Sequence, residues 1–221
     1  VLRATFDREL REIQDELLLL GSMTEKAIEH AMDALTRRDL LLARTIIRGD
    51  REINAKRFAI EEQCVLIMAT QQPVAADLRE IVAVLNIISD IERMADHAAG
   101  IARIVLLLEA EQPSEEIRYL PEMAGKARAM LHDSLTAFVE RDVAAAQLVS
   151  SRDDEVDSLY DTVYAVIFNR MVRDPALIVS LTYHLWIAHN LERIADRATN
   201  IAERVVYLVT GRMDELNVSN Y

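Results

Sequence analysis

The same word is written twice in this chain, 100 residues apart. Glu92-Arg93-Met94-Ala95-Asp96, followed by Ile101-Ala102, returns as Glu192-Arg193-Ile194-Ala195-Asp196, followed by Ile201-Ala202. A fixed-offset repeat constrains architecture more than any local propensity does, because each copy must build the same supersecondary unit. The match continues upstream. Arg38-Asp39 corresponds to Arg141-Asp142, and Asp50-Arg51-Glu52-Ile53-Asn54 to Asp153-Asp154-Glu155-Val156-Asp157, at an offset of 103. The three-residue difference falls near Pro73 and Pro175, where a loop absorbs it.

The repeating unit reads as three helices. The chain is 51% hydrophobic but only 5% aromatic, so its apolar load is aliphatic, and five Gly and four Pro leave little punctuation for many short strands. Leu10, Ile13, Leu17 and Leu20, then Ala27, Ala31, Ala34 and Leu35, follow helical spacing from Phe6 to about Thr36. Asp39 is placed to cap a second helix reaching about Gln71, and Asp77 a third reaching about Glu109. Glu109 to Pro121 is polar and bracketed by Pro113 and Pro121, which reads as a linker. The second half repeats the plan: Glu122–Glu140, a restart at Arg141-Asp142, a break at Pro175, and a last helix from Ala176 to about Thr210, stopped by Gly211. The expected fold is all-α, six long helices in two pseudo-symmetric three-helix bundles, with residues 1–108 and 122–221 as the bundles and 109–121 between them.

The formal net charge is −12 and the pI about 4.9, which disfavours nucleic acid as a ligand and favours cations or basic proteins. A single cysteine, Cys64, allows no internal disulfide, and no signal-peptide pattern or membrane-length apolar run is present. The expected location is the cytoplasm.

Projected at 100° per residue, Glu92 and Asp96 fall beside Ile81, Leu85, Ile88, Ala95 and Ala99, not on a polar face. Glu192 and Asp196 fall with Leu181, Leu185, Ala188 and Ala195. Asp50 and Asn54 share a side with Ile46, Ile53, Ile60 and Cys64, as Asp153 and Asp157 do with Val156, Val163 and Ile167. The first helix of each half contributes His30 and Asp133 respectively. Carboxylates beside an apolar stripe need a counter-charge. Metal coordination is one solution, with His30, Asp50, Asn54, Glu92 and Asp96 as one set and Asp133, Asp153, Asp157, Glu192 and Asp196 as the other. Oxygen-rich ligands suit Fe, Mn or Mg, and His30 admits Zn. Ion pairing with Arg57, Arg93 and Arg193 is the other solution. His97, His132, His184 and His189 have no repeat partner of their own type and read as surface or core residues. No phosphate loop, GxSxG or HExxH occurs, and no His has an acid three residues before it, so the chain does not read as an enzyme or a ferritin-like di-iron protein.

In these residues the chain resembles the PhoU family of phosphate-signalling regulators. The resemblance rests on Gly49-Asp50-Arg51-Glu52-Ile53-Asn54, on Gln72-Pro73-Val74-Ala75-Ala76-Asp77-Leu78-Arg79, and on the doubled Glu-Arg-Met/Ile-Ala-Asp, and it spans nearly the whole length. It implies a PhoU-like, spectrin-repeat-like pair of bundles and metal binding at Glu/Asp-x-x-x-Asp motifs, here Glu92/Asp96, Asp153/Asp157 and Glu192/Asp196. Asn54 and His30 depart from that pattern. It also implies a non-catalytic adaptor between a phosphate ABC transporter ATPase and a membrane sensor histidine kinase, damping the phosphate-starvation response. Such a protein meets the membrane only through its partners and is expected to form a homodimer or higher homo-oligomer. A metal-dependent enzyme or metal store built on the carboxylates is the competing reading.

Overall fold

The computed structural model describes residues 2–108, 118–212 and 216. They form α1 (Leu2–Arg37), α2 (Leu40–Gln71), α3 (Ala76–Leu107), α4 (Leu120–Glu140), α5 (Val143–Ser151), α6 (Asp153–Arg173), a 3-10 turn (Pro175–Leu177) and α7 (Ile178–Thr210). There is no strand among the described residues. The first bundle is α1, α2 and α3. The second is α4, the consecutive pair α5 and α6, and α7, so the plan of six helical segments in two bundles holds. The segment 109–117, most of the expected linker, lies outside the described residues.

The duplicated Arg-Asp dipeptides build duplicated turns. Arg38 and Arg141 both take left-handed backbone, at φ 53° and 56°. The next amide, Asp39 or Asp142, then reaches back 3.0 Å to the carbonyl of Ala34 or Ala137, which closes the preceding helix. The Asp side chains turn the other way and cap the next helix, accepting from Leu42 N at 2.8 Å and Ala145 N at 3.0 Å. One dipeptide thus ends one helix and starts another. Gly211, at φ 73°, closes α7 with its amide on the Tyr207 carbonyl.

Three boundaries differ from the sequence reading. α3 starts at Ala76 on a cap residue, Ala75, that offers no side-chain acceptor, and Asp77 lies inside the first turn. Its charge there still complements the helix dipole. Pro121 sits in the first turn of α4, not in a linker, because its missing N–H has no intrahelical role there. The second rod of the second half is broken at Arg152. Ser150 and Ser151 are weak helix formers, and the run Asp153-Asp154-Glu155 favours a helix N-terminus, so a new helix begins at Asp153.

α3 and α7 are buried nearly all round. Their own bundles cover one side, and they pack along each other across the bundles. Small residues, Ala95, Ala98 and Ala102 on α3 and Ala195, Ala198 and Ala202 on α7, are fully or almost fully buried, as are Ile87, Ile91 and Ile101 of α3. Each such isoleucine is worth about 1.5–3 kcal/mol relative to exposure. α1 and α4 also meet, with Gly21 against Leu135. A Cβ on Gly21 would lie 2.2 Å from Leu135 Cδ1, so the buried Leu135 side chain would have to shift to admit one.

The α3–α7 contact is pinned by polar residues at repeat-related positions. Asp90 of α3 accepts from Arg197 Nη1 at 3.3 Å and Asn200 Nδ2 at 3.4 Å of α7. Its counterpart on α7, Asn190, meets His97 of α3 at 2.9 Å, and Asn190 Oδ1 lies 3.1 Å from where a Cβ on Gly100 would stand. Swapping the two helices carries each contact onto the other, as a pseudo-twofold axis between them requires. Among the described residues no helix is long and apolar enough to cross a membrane.

Candidate functional site

Each bundle brings its acids from two neighbouring rods to one surface. In the first, α2 supplies Asp50 and α3 supplies Glu92 and Asp96, four residues apart on one face. Burial pushes the Asp50 carboxyl above its usual range, the Asp96 charge pushes it further, and Arg103 opposes both. Glu92 is raised in the same way, by burial first, then by Asp96 and Asp50, against Arg57 and Arg93. The arginines do not cancel the effect. Asp50 Oδ1 is buried with no hydrogen-bond partner. Asn54 donates from Nδ2 to the Asp50 carbonyl at 3.2 Å and to Asp50 Oδ2 at 3.4 Å, so its amide partly satisfies the acid one turn before it.

The second cluster is more charged. α6 supplies Asp153, only 4% exposed, and Asp157, and α7 supplies Glu192 and Asp196. Burial raises the Glu192 carboxyl to about 7, with Asp196, Asp157 and Asp153 adding to the shift and Arg193 opposing it. Glu192 Oε2 lies 3.4 Å from His189 Nδ1, outside hydrogen-bond geometry. Asp157 is raised by burial and then by Asp196, Asp154 and Asp161. Asp196 is raised by burial, against Arg193, which it meets at 3.2 Å, and Arg197. The pairing of acids with arginine is therefore real at Asp196 and partial elsewhere, while Arg57 is drawn to Glu61 at 3.1 Å.

His30 and Asp133 stand differently. His30 is exposed on α1 and is not among the charges acting on Asp50 or Glu92. The Asp133 carboxylate is held by the guanidinium of Arg152, the residue at the α5–α6 break. The structure thus gathers Asp50, Glu92 and Asp96, with Asn54 bonded to the first, and separately Asp153, Asp157, Glu192 and Asp196. Among the described residues, no three His, Cys, Asp or Glu side chains close into a ready cage for an ion. The donor set nevertheless fits a hard cation: oxygen atoms only, an excess of negative charge, and raised carboxyls that a cation would return to the ionised form.

A PhoU domain model matches residues 17–105 and again 120–205, once on each bundle. The chain belongs to the PhoU family. The phosphate-specific transport system accessory protein PhoU homolog of Clostridium acetobutylicum is 39% identical over 216 residues, covering 97% of this chain and 99% of that protein. The Streptococcus pneumoniae protein of the same name is 37% identical over 98% of this chain and 100% of its own length. The crystal structure of PhoU from Pseudomonas aeruginosa superposes with a TM-score of 0.90 at 35% identity, covering 94% of this chain and 100% of that one. The phosphate transport system regulatory protein PhoU from S. pneumoniae gives 0.88 at 36% identity, over 95% and 99% of the two chains. PhoU proteins so named are accessory and regulatory proteins of phosphate transport.

Two features of this PhoU fold escape the sequence reading. Asp90 and His97 project to the back of α3, away from the acid pair, and that back face is where the other bundle docks. The clue was present as complementary residues at matched positions, Asp90 with Asn190 and His97 with Arg197. Glu80, 2% exposed at the start of α3, accepts from Gln14 Nε2 at 2.7 Å and from Arg141 Nη2 of the α4–α5 turn at 2.5 Å. That link ties one bundle to the other, and nothing local marks it.

Proposed function

We propose that this protein regulates phosphate uptake and signalling as a cytoplasmic, non-catalytic adaptor. It would link the phosphate ABC transporter ATPase to the phosphate-sensing histidine kinase and repress the starvation response. The observation that carries the reading is the PhoU match on both bundles, with near-complete coverage of relatives named for phosphate-specific transport. The architecture supports it: long rigid helices, a net charge of −12 and two acid-lined surfaces suit docking, in which charge sets association rate and selectivity. Deleting the gene in its host is expected to leave phosphate-starvation genes expressed at high phosphate. Normal repression in the deletion strain rejects the role.

Within that reading the acid clusters are metal sites. Asp50, Glu92 and Asp96, with the Asn54 carbonyl oxygen, would hold one ion or group of ions. Asp153, Asp157, Glu192 and Asp196 would hold the other, with His30 and Asp133 as the ligands farthest from these acids. A bound cation would neutralise the converging carboxylates. Adding Fe, Mn, Mg or Zn to chelator-treated protein is expected to raise the melting temperature. An unchanged melting temperature, together with no metal by elemental analysis, leaves the clusters as ion-pair networks. Replacing Glu92 and Asp96, or Glu192 and Asp196, by Ala separates the readings: partial derepression ties the clusters to regulation, and full repression detaches them. Turnover of phosphate esters by the metal-loaded protein would favour the enzyme reading instead.

A further inference from the structure

The first bundle carries an apolar groove that neither its core nor the acid clusters use. Phe58, Val65 and Leu66 of α2 are 56%, 53% and 61% exposed. Their spacing of seven and eight residues sets them along one side of the helix. Two adjoining hollows, of about 600 and 410 Å³, share Leu66. The first runs along α2 from Phe58 to Ala69, and the second lies between α2 and the Glu9–Ile13 turn of α1. From Phe58 to Gln71 the groove is about 20 Å long at 1.5 Å per residue. That length suits between three and four turns of a docked helix.

The rim is predominantly acidic. The charged residues lining the two hollows are Glu9, Glu12, Glu61 and Glu62, with no base among them. Arg57 reaches Glu61 at 3.1 Å and lies over the Phe58 ring at 4.7 Å, so one base borders that end, while Arg8 reaches Glu12 at 3.7 Å from outside the lining. Glu9 is held only by Gln71 Nε2 at 3.5 Å, and Glu62 has no ion pair among the described residues. An apolar floor between carboxylates is complementary to a helix with apolar anchors on one stripe and bases on both sides.

We propose that this groove docks a cationic amphipathic helix of a partner protein, with aliphatic or aromatic anchors at i, i+4 and i+7 and Lys or Arg flanking them. A second copy of this chain fits the charge less well. Each copy carries −12, and the repeat equivalents of Phe58, Val65 and Leu66 on α6 are Asp161, Phe168 and Asn169, so the second half does not reproduce the strip. The groove adjoins the first acid cluster at Arg57, but none of its lining residues is a proposed metal ligand, so this proposal and the phosphate-signalling role can fail independently.

The test uses the full chain and three labelled peptides of about 14 residues, a length set by the groove. One is an amphipathic Leu/Lys helix, one is its Leu/Glu analogue, and one is a Lys/Ser peptide of equal charge without an apolar face. The Leu/Lys peptide is expected to bind with one-to-one stoichiometry and the other two not at all. Leu66→Ser and Phe58→Ala, at exposed positions, should leave circular dichroism and melting temperature unchanged and weaken binding by about tenfold or more. Glu9→Gln with Glu62→Gln should weaken it several-fold and flatten its salt dependence. Equal affinity for wild type and Leu66→Ser, or equal binding of the Lys/Ser peptide, overturns the proposal. So does a dimer in sedimentation that Leu66→Ser dissolves, which would give the groove to a second copy.

Discussion

Replacing Glu192 by Gln should stabilise this protein at neutral pH, although it removes a charged residue from a proposed ligand set. The Glu192 carboxyl is raised from an ordinary 4.5 to about 7, by burial first and then by Asp196, Asp157 and Asp153. Its side chain is 15% exposed, so solvent screens it little. An acid whose folded pKa lies above its unfolded value binds the extra proton in the folded state. Stability therefore falls as pH rises from 4.5 towards 7 and is level beyond. At about 1.4 kcal/mol per pH unit, the penalty reaches about 3 kcal/mol above pH 7. Glutamine is shaped like the protonated acid and carries none of it. In metal-free protein, chemical denaturation of wild type and Glu192→Gln should give equal stabilities near pH 4.5. The variant should lead by about 2–3 kcal/mol at pH 7.5, or roughly 5–10 °C in melting temperature. A difference that stays constant with pH, or a variant less stable at pH 7.5, would refute the idea that the site is under unrelieved repulsion. With a bound cation the order should reverse, because the ion favours the carboxylate.

Four further single substitutions and one double variant test the fold. Gly49→Ala, in α2 with open space around the new Cβ, should stabilise by about 0.5–1 kcal/mol, whereas Gly21→Ala, pressed on Leu135, should destabilise by about 1–3 kcal/mol; thermal melts of the pair decide. Ala75 sits at φ 52°, ψ −116°, a region that only glycine adopts readily, so Ala75→Gly should stabilise by about 1 kcal/mol in urea titration, net of its unfolded-state entropy. Arg141→Met strands the buried Glu80 carboxylate with Gln14 alone and should cost about 2–4 kcal/mol, most of it recovered in the Arg141→Met/Glu80→Met double variant.

The helices were legible because each is long and its apolar spacing is uninterrupted, and the repeat supplied a second copy to read against. The Arg-Asp turns were legible as restarts, since Asp39 and Asp142 are good caps. The break at Arg152 was not: no Pro or Gly marks it, and the decision rests on an acid run whose preference for a helix N-terminus is weak beside α-helical continuity. Which acids lie beside the apolar stripe followed from projecting single helices, and the Asp96 charge that raises Asp50 and the Asp157 charge that raises Glu192 bring acids of neighbouring helices within reach of each other. What projection cannot give is the partner across a bundle. Asp133 turns to Arg152, a residue of a helix break the sequence did not show, and His30 stays exposed. The pairing of the polar residues on the back of α3, Asp90 and His97, with α7 is of this kind.

The α3–α7 contact has the form of a dimer interface, yet it lies within one chain. Between identical subunits every substitution appears twice, so a change good for one end must be tolerated at the other. Here each end mutates alone. Asp90 can be charged while Asn190 is neutral, Gly100 can make room where Asn200 reaches across, and Asn54 can replace an acid while Asp157 keeps one. Carrying both halves on one chain lets a symmetric pair vary position by position, free to specialise in what each half binds while remaining in fixed one-to-one ratio.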